Sequence, residues 1–193
     1  MLAAVNRFIV DCSHTWWKVL LLFLGQTATM RVLSTITERF PAMTAGDVPF
    51  DMQNSLTTDQ IFTQLAGYSE QAFSHYYVFQ AVDFAFPLLA GLFLASLCAF
   101  GLRHASPAWY QAVNSRNLFT LILLATLFDY LENINLLWVV SSWPEPASFA
   151  AQLGVLAKKA KLTFLVLSFA VTGLCPLGAA GRWAGVKTGL LSD

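Results

Sequence analysis

The stretch Leu127-Phe128-Asp129-Tyr130-Leu131-Glu132-Asn133-Ile134-Asn135 sets two carboxyls and two carboxamides inside an otherwise apolar run. At about 100° per residue, Asp129, Glu132, Asn133 and Asn135 spread over roughly 160° of a helix surface, and Leu127, Leu131 and Ile134 cover much of the rest. Two carboxylates three residues apart repel when both are ionised, so at least one must hold a proton or face a cation. Arg31 and Asp83 interrupt two further apolar runs. Groups of this kind can bind a polar headgroup, a proton or a cation, or they can pair and fix how helices pack.

Other chemistry is missing from the sequence. There is no nucleophile motif, no glycine-rich phosphate loop and no HExxH. No pair among His14, His75 and His104 shares a helix face within the membrane, which argues against haem, and a carboxylate di-metal site would need Glu-x-x-His spacing that does not occur. We therefore expect no catalytic residue, metal site or cofactor to be legible here. Cys12, Cys98 and Cys175 have no CxxC or Cys/His spacing. On the topology derived below they fall toward one side and the long loop on the other side has none, which fits reduced thiols facing a cytosol-like or matrix-like compartment. Three unrelated small apolar residues would look the same.

The elements that must position Arg31, Asp83, Asp129, Glu132 and Asn133 follow from composition. Of the 193 residues, 56% are hydrophobic and 11% charged, with a mean hydropathy of +0.58; soluble chains carry about a quarter charged residues. Eleven basic and eleven acidic residues cancel, which argues against a nucleic-acid partner. A helix needs roughly 20 mainly apolar residues to cross about 30 Å of hydrocarbon. Four segments qualify, at about 17–36, 72–102, 118–140 and 162–180. The expectation is an all-α polytopic membrane protein, a bundle of four transmembrane helices forming a single domain over 1–193.

The flanks agree with that reading. Trp16, Trp17, Trp109 and Trp183 mark one interface, and Tyr76, Tyr77, Trp138 and Trp143 the other. Arg7 and Lys18 before an apolar run give the outline of a signal peptide, but no small-x-small cleavage site follows and the segment is read as a span. The distribution of Lys and Arg puts both termini inside. The first loop, about 37–71, is irregular around Pro41, Gly46 and Pro49; then Thr57-Thr58-Asp59-Gln60 outlines a capping box ahead of Ile61, Phe62 and Leu65 at helical spacing. This predicts a short amphipathic helix that lies on the outer surface and leads into the second span, or one that merely caps the bundle. Pro144 and Pro146 make a turn, and Ser148 starts a helix that carries Lys158, Lys159 and Lys161 toward the fourth span.

Counting rise from these boundaries places Arg31, Asp83 and Glu132 at comparable depth, with Asp129 about one turn deeper. Arg31 is then the expected counter-ion, and Lys161 the second candidate, able to reach inward or snorkel out. Pro87 leaves the Asp83 carbonyl without its helical donor, and Gly91, Ala95 and Ala99 form a stripe that admits a close neighbour.

Four spans, an amphipathic stretch after the first, and Asp83 just ahead of Phe86-Pro87 resemble the layout of the emopamil-binding type of membrane protein. That resemblance implies intramembrane acids that hold an amphiphile's amine or help move a proton on a sterol. Asp129-x-x-Glu132-Asn133 lies outside the likeness, so no residue role carries over.

Two functions are expected from different classes. One is a non-catalytic accessory or structural subunit of a larger membrane complex, with lipids and other membrane subunits as partners. The other is a stand-alone protein that binds or isomerises a lipid-like or sterol-like molecule through intramembrane carboxylates. A proton- or ion-conducting element finds little support, because no chain of ionisable groups leads to both surfaces. The location expected is an integral membrane one, organellar or bacterial inner.

Overall fold

A computed structural model describes residues 1–187. Among the described residues the regular elements are helices: α1 (Leu2–His14), α2 (Trp16–Arg39), α3 (Thr58–Leu65), α4 (Glu70–Asp83), α5 (Phe86–Ala105), α6 (Pro107–Ser115), α7 (Leu124–Ser142) and α8 (Ser148–Lys187). Short 3-10 turns occupy Phe40–Ala42, Phe50–Met52 and Leu118–Leu123.

Four stretches are long and apolar enough to cross a membrane: Trp16–Ala42, Glu70–Ala105, Leu118–Ser142 and Ser148–Lys187. They coincide with the four predicted spans and extend beyond them. The second is broken between α4 and α5, because Pro87 brings no N–H to the helical ladder. At this break α7 donates to the main chain: the Tyr130 hydroxyl to the Phe84 carbonyl at 2.9 Å and the Thr126 hydroxyl to the Pro87 carbonyl at 2.7 Å. In the fourth, α8 is continuous over 40 residues from Ser148, so Lys158, Lys159 and Lys161 ride on the long helix itself.

The chain folds as two compact units that share the long helices. Among the described residues, the first comprises Met1–Leu24, Leu89–Ala125 and 163–187. Its core holds Ile9, Leu94, Ala95, Cys98, Ala99, Tyr110, Phe119 and Ile122. Ala95 and Ala99 of the small-residue stripe are fully buried there, which is the packing use of that stripe. The Asn6 carboxamide donates to Asn114 Oδ1 at 2.8 Å and Arg103 to the Ser13 carbonyl at 3.0 Å, so α1 is tied down at both ends.

The second unit comprises Gly25–Leu88 and Thr126–Leu162. Its core is built largely from the first loop: Phe40, Phe50, Leu56, Ile61, Leu65 and Tyr68 pack with Ala72, Tyr76, Leu136, Val139, Val140, Ala150 and Ala151. The predicted capping box is present, with the Gln60 N–H donating to Thr57 Oγ1 and the Thr57 N–H to Gln60 Oε1 at 2.9 Å. The apolar face of α3 does not lie open on a surface, however. Ile61 and Leu65 are fully buried in protein, because the ring cluster of Phe40, Phe50 and Tyr68 offers them a closed apolar partner.

Candidate functional site

α7 and α8 are consecutive helices joined by a five-residue turn, residues 143–147. Glu132 lies ten residues before the end of α7 and Lys158 ten after the start of α8; Asp129 and Lys161 are thirteen from the same ends. Antiparallel neighbours rising about 1.5 Å per residue bring these pairs level. The structure bears out that register. Lys158 Nζ is 2.7 Å from Glu132 Oε1, Lys161 Nζ is 2.7 Å from Glu132 Oε2, and Lys161 Nζ is 3.4 Å from Asp129 Oδ1. Lys158 also donates to the carbonyls of Phe50 at 2.9 Å and Asp51 at 3.1 Å, which anchors the first loop on α8.

Burial is graded across the cluster. Glu132 is 0% exposed and Lys158 3%, whereas Asp129 and Lys161 keep 15% and 14%. The Asp129–Lys161 pair is thus the rim through which the interior can be reached, and Glu132 is its floor. Clefts adjoin both sides of α8: one of about 290 Å³ against Leu56, Thr57, Val155 and Lys158, and one of about 160 Å³ against Phe128, Leu131, Leu153 and Ala157.

Two more carboxyls stand in the same unit, with no ammonium partner in hydrogen-bond contact among the described residues. Asn133 donates its carboxamide to Asp83 Oδ2 at 2.6 Å. Asp51, from the 3-10 turn Phe50–Met52, accepts from Gln80 at 2.7 Å and from the Tyr76 hydroxyl at 3.1 Å. All these donors are neutral. Asp51 is only half-buried as a residue, but its Oδ1 is buried and has no donor; Gln80 Oε1 and Asn133 Oδ1 are also buried and unpartnered. Burial pushes the Asp51 carboxyl up to about 7, with the negative charges of Glu132 and Asp83 adding to the push and Lys161 and Lys158 opposing it.

The sequence-derived residues thus separate. Asp129 and Glu132 meet lysines, Asp83 and Asn133 meet each other, and Arg31 is elsewhere. Arg31 is exposed, lining a shallow cleft with Gln26, Met30, Ser34 and Phe86, and joins no ion pair among the described residues. The reason is helical phase. The buried residue of α2 is Leu33, and two residues turn a helix by about 200°, so Arg31 faces away from what α2 packs against. Lys161, the second candidate, takes the role expected of Arg31.

Sequence reasoning did not place Lys158, Asp51, Gln80 or Tyr76 in the site; it set Tyr76 at a membrane interface, whereas the structure buries that ring completely in protein. The matched i, i+3 spacings of Asp129/Glu132 and Lys158/Lys161 on either side of a proline turn were a signal for Lys158. Gln80 and Tyr76 sit one and two turns before Asp83 on its helix. For Asp51, in an irregular loop, the sequence holds no signal beyond its position between Phe50 and Met52.

Compared with protein-family models, curated proteins and solved structures, the chain matches none. The likeness to the emopamil-binding type therefore rests on Asp83, Phe86, Pro87 and the layout alone.

Proposed function

We infer that the four long helices cross a bilayer and that the polar centre of the second unit binds the cationic group of a lipid-like amphiphile. The observation that carries this reading is an imbalance: four carboxyls, Asp51, Asp83, Asp129 and Glu132, stand against two ammonium groups, and both lysines are committed to Glu132 and Asp129. A carboxylate buried away from water needs a counter-charge or a proton. Asp51 and Asp83 have carboxamides and a phenol, and beside them lie oxygens that lack donors. A primary ammonium brings one positive charge and three N–H donors, which is what those oxygens want.

Native mass spectrometry in mild detergent tests this with dodecylamine and dodecanol, two chains differing in the head alone. The amine should bind and the alcohol should not, and Asp83→Asn should weaken amine binding by at least about tenfold, the usual scale for losing one partner of a buried charge pair. Equal uptake of both chains, or an Asp83→Asn protein that binds like wild type, would overturn the reading.

One observation favours the accessory-subunit alternative. Arg31 and Gln26 lie in a cleft on α2, and only 6% of the most apolar stretch of that span is buried, against 44% in the second. A neighbouring subunit with an acid at that depth would cover them. The same spectra decide it, since a fixed set of co-purifying subunits would favour assembly over a stand-alone binder.

A further inference from the structure

Away from the acid–lysine cluster, in the first unit, two thiols from different helices lie side by side. Cys98 on α5 and Cys175 on α8 have sulfurs 3.6 Å apart, and both are free. Next to them the helices meet backbone to backbone: a Cβ on Gly101 would stand 2.6 Å from the Pro176 nitrogen and 2.8 Å from the Cys175 carbonyl carbon. Gly101 is three residues beyond Cys98, so the two cysteines sit at the tightest part of the crossing. A disulfide needs Cβ atoms about 3.8 Å apart and sulfurs at about 2.05 Å, a closure within reach of side-chain rotation where main chains already touch.

Both thiols also line a cavity of about 450 Å³, walled by Leu102, Phe119, Ile122, Phe164 and Val171, with Ser168 as its hydroxyl. That volume lies within the ordinary range of small-molecule sites. Its walls are almost wholly apolar, so a charged oxidant such as a glutathione disulfide would have to shed its water to enter. An uncharged one would not.

We propose that Cys98 and Cys175 are a redox-active dithiol that a lipid-soluble quinone, admitted to this cavity, oxidises to a disulfide joining α5 to α8. The two thiols release two protons and two electrons as the S–S bond forms. The quinone takes up both, its two carbonyl oxygens becoming the hydroxyls of a hydroquinone. Nothing else is required for the balance, and the reverse reaction restores the dithiol. The third cysteine, Cys12, is buried on α1 and takes no part.

The test uses the full chain in detergent micelles, reduced, freed of reductant and incubated without oxygen with a short-tailed ubiquinone. Alkylation followed by intact mass should count two fewer free thiols than before, with one hydroquinone formed per protein and a single peptide pair joining Cys98 to Cys175. Cys12→Ser should behave as wild type, and Cys175→Ser should form neither disulfide nor hydroquinone. Diamide, a water-soluble thiol oxidant, runs in parallel. A Cys98–Cys175 disulfide formed with diamide but not with the quinone overturns the quinone assignment. Three alkylatable thiols after both reagents overturn the dithiol itself, as does a disulfide that includes Cys12.

Discussion

Glu132 is the residue on which the second unit depends most. It is fully buried and touches two ammonium groups, each 2.7 Å away, so removing either lysine leaves a poorly compensated charge in a place with little water. Lys158→Met should therefore destabilise the protein by about 3–5 kcal/mol, the range for breaking a buried pair from one side. Converting Glu132→Gln in the same chain should return part of that loss, because Lys161 and Asp129 then remain as a matched pair. Thermal unfolding of the two variants in one detergent checks the order: single below double below wild type. A Lys158→Met protein as stable as wild type would mean that Lys161 alone neutralises Glu132. Lys158 does more than balance charge, since its bonds to the Phe50 and Asp51 carbonyls also hold the loop, and that share should not be recovered in the double variant.

Between elements, close approach sets the tolerance to change. Gly101 meets main-chain atoms of Cys175 and Pro176, which cannot rotate aside, so Gly101→Ala must push α5 and α8 apart and should lower the unfolding temperature of the first unit. Gly154 on α8 is the internal comparison. A Cβ there would stand 3.4 Å from a Leu136 side-chain carbon, an ordinary contact with a group that can move, so Gly154→Ala should be neutral or stabilising through its better helix propensity. Equal losses from both substitutions would contradict this. The same scale explains what the sequence made legible. Period and length located the long helices, because an apolar run of that length has few other uses. Their phase about their own axes was harder: Arg31 and Leu33 differ by two residues, and only knowledge of what α2 packs against tells which one turns inward. The α7–α8 register was readable in principle from equal distances to the proline turn, and went unused because the fourth span was started at residue 162, past both lysines.

For the whole molecule, the least legible part was the first loop. Pro41, Gly46 and Pro49 mark it as irregular, yet Phe40, Phe50, Ile61 and Leu65 make it the core of one unit. No periodicity signals this, because its apolar residues come from two turns and a short helix whose arrangement depends on long-range contact. Burying Asp51 in that loop gives the molecule a pH dependence with a definite sign. The carboxyl titrates near 3.8 in the open chain and near 7 when folded, so between those values the folded form keeps a proton that the unfolded form has lost. Stability should therefore decline as pH rises from about 4 to about 7 and then level off, and Asp51→Asn should flatten that part of the curve. Unfolding measured across this range decides it; an unchanged slope in the variant would assign the dependence to other groups.

The matched register of α7 and α8 also bears on how such a chain is made. A charged side chain entering hydrocarbon costs about 2.5–3.5 kcal/mol on insertion scales, and α7 carries Asp129 and Glu132 while the first half of α8 carries Lys158, Lys159 and Lys161. Offered singly to the translocation machinery, each helix is a poor candidate for release into lipid. Joined by a five-residue turn, they can pair Asp129 and Glu132 with Lys158 and Lys161 before leaving it. If these helices cross a bilayer as proposed, biogenesis should deliver the third and fourth stretches together, as one hairpin with both acids already paired.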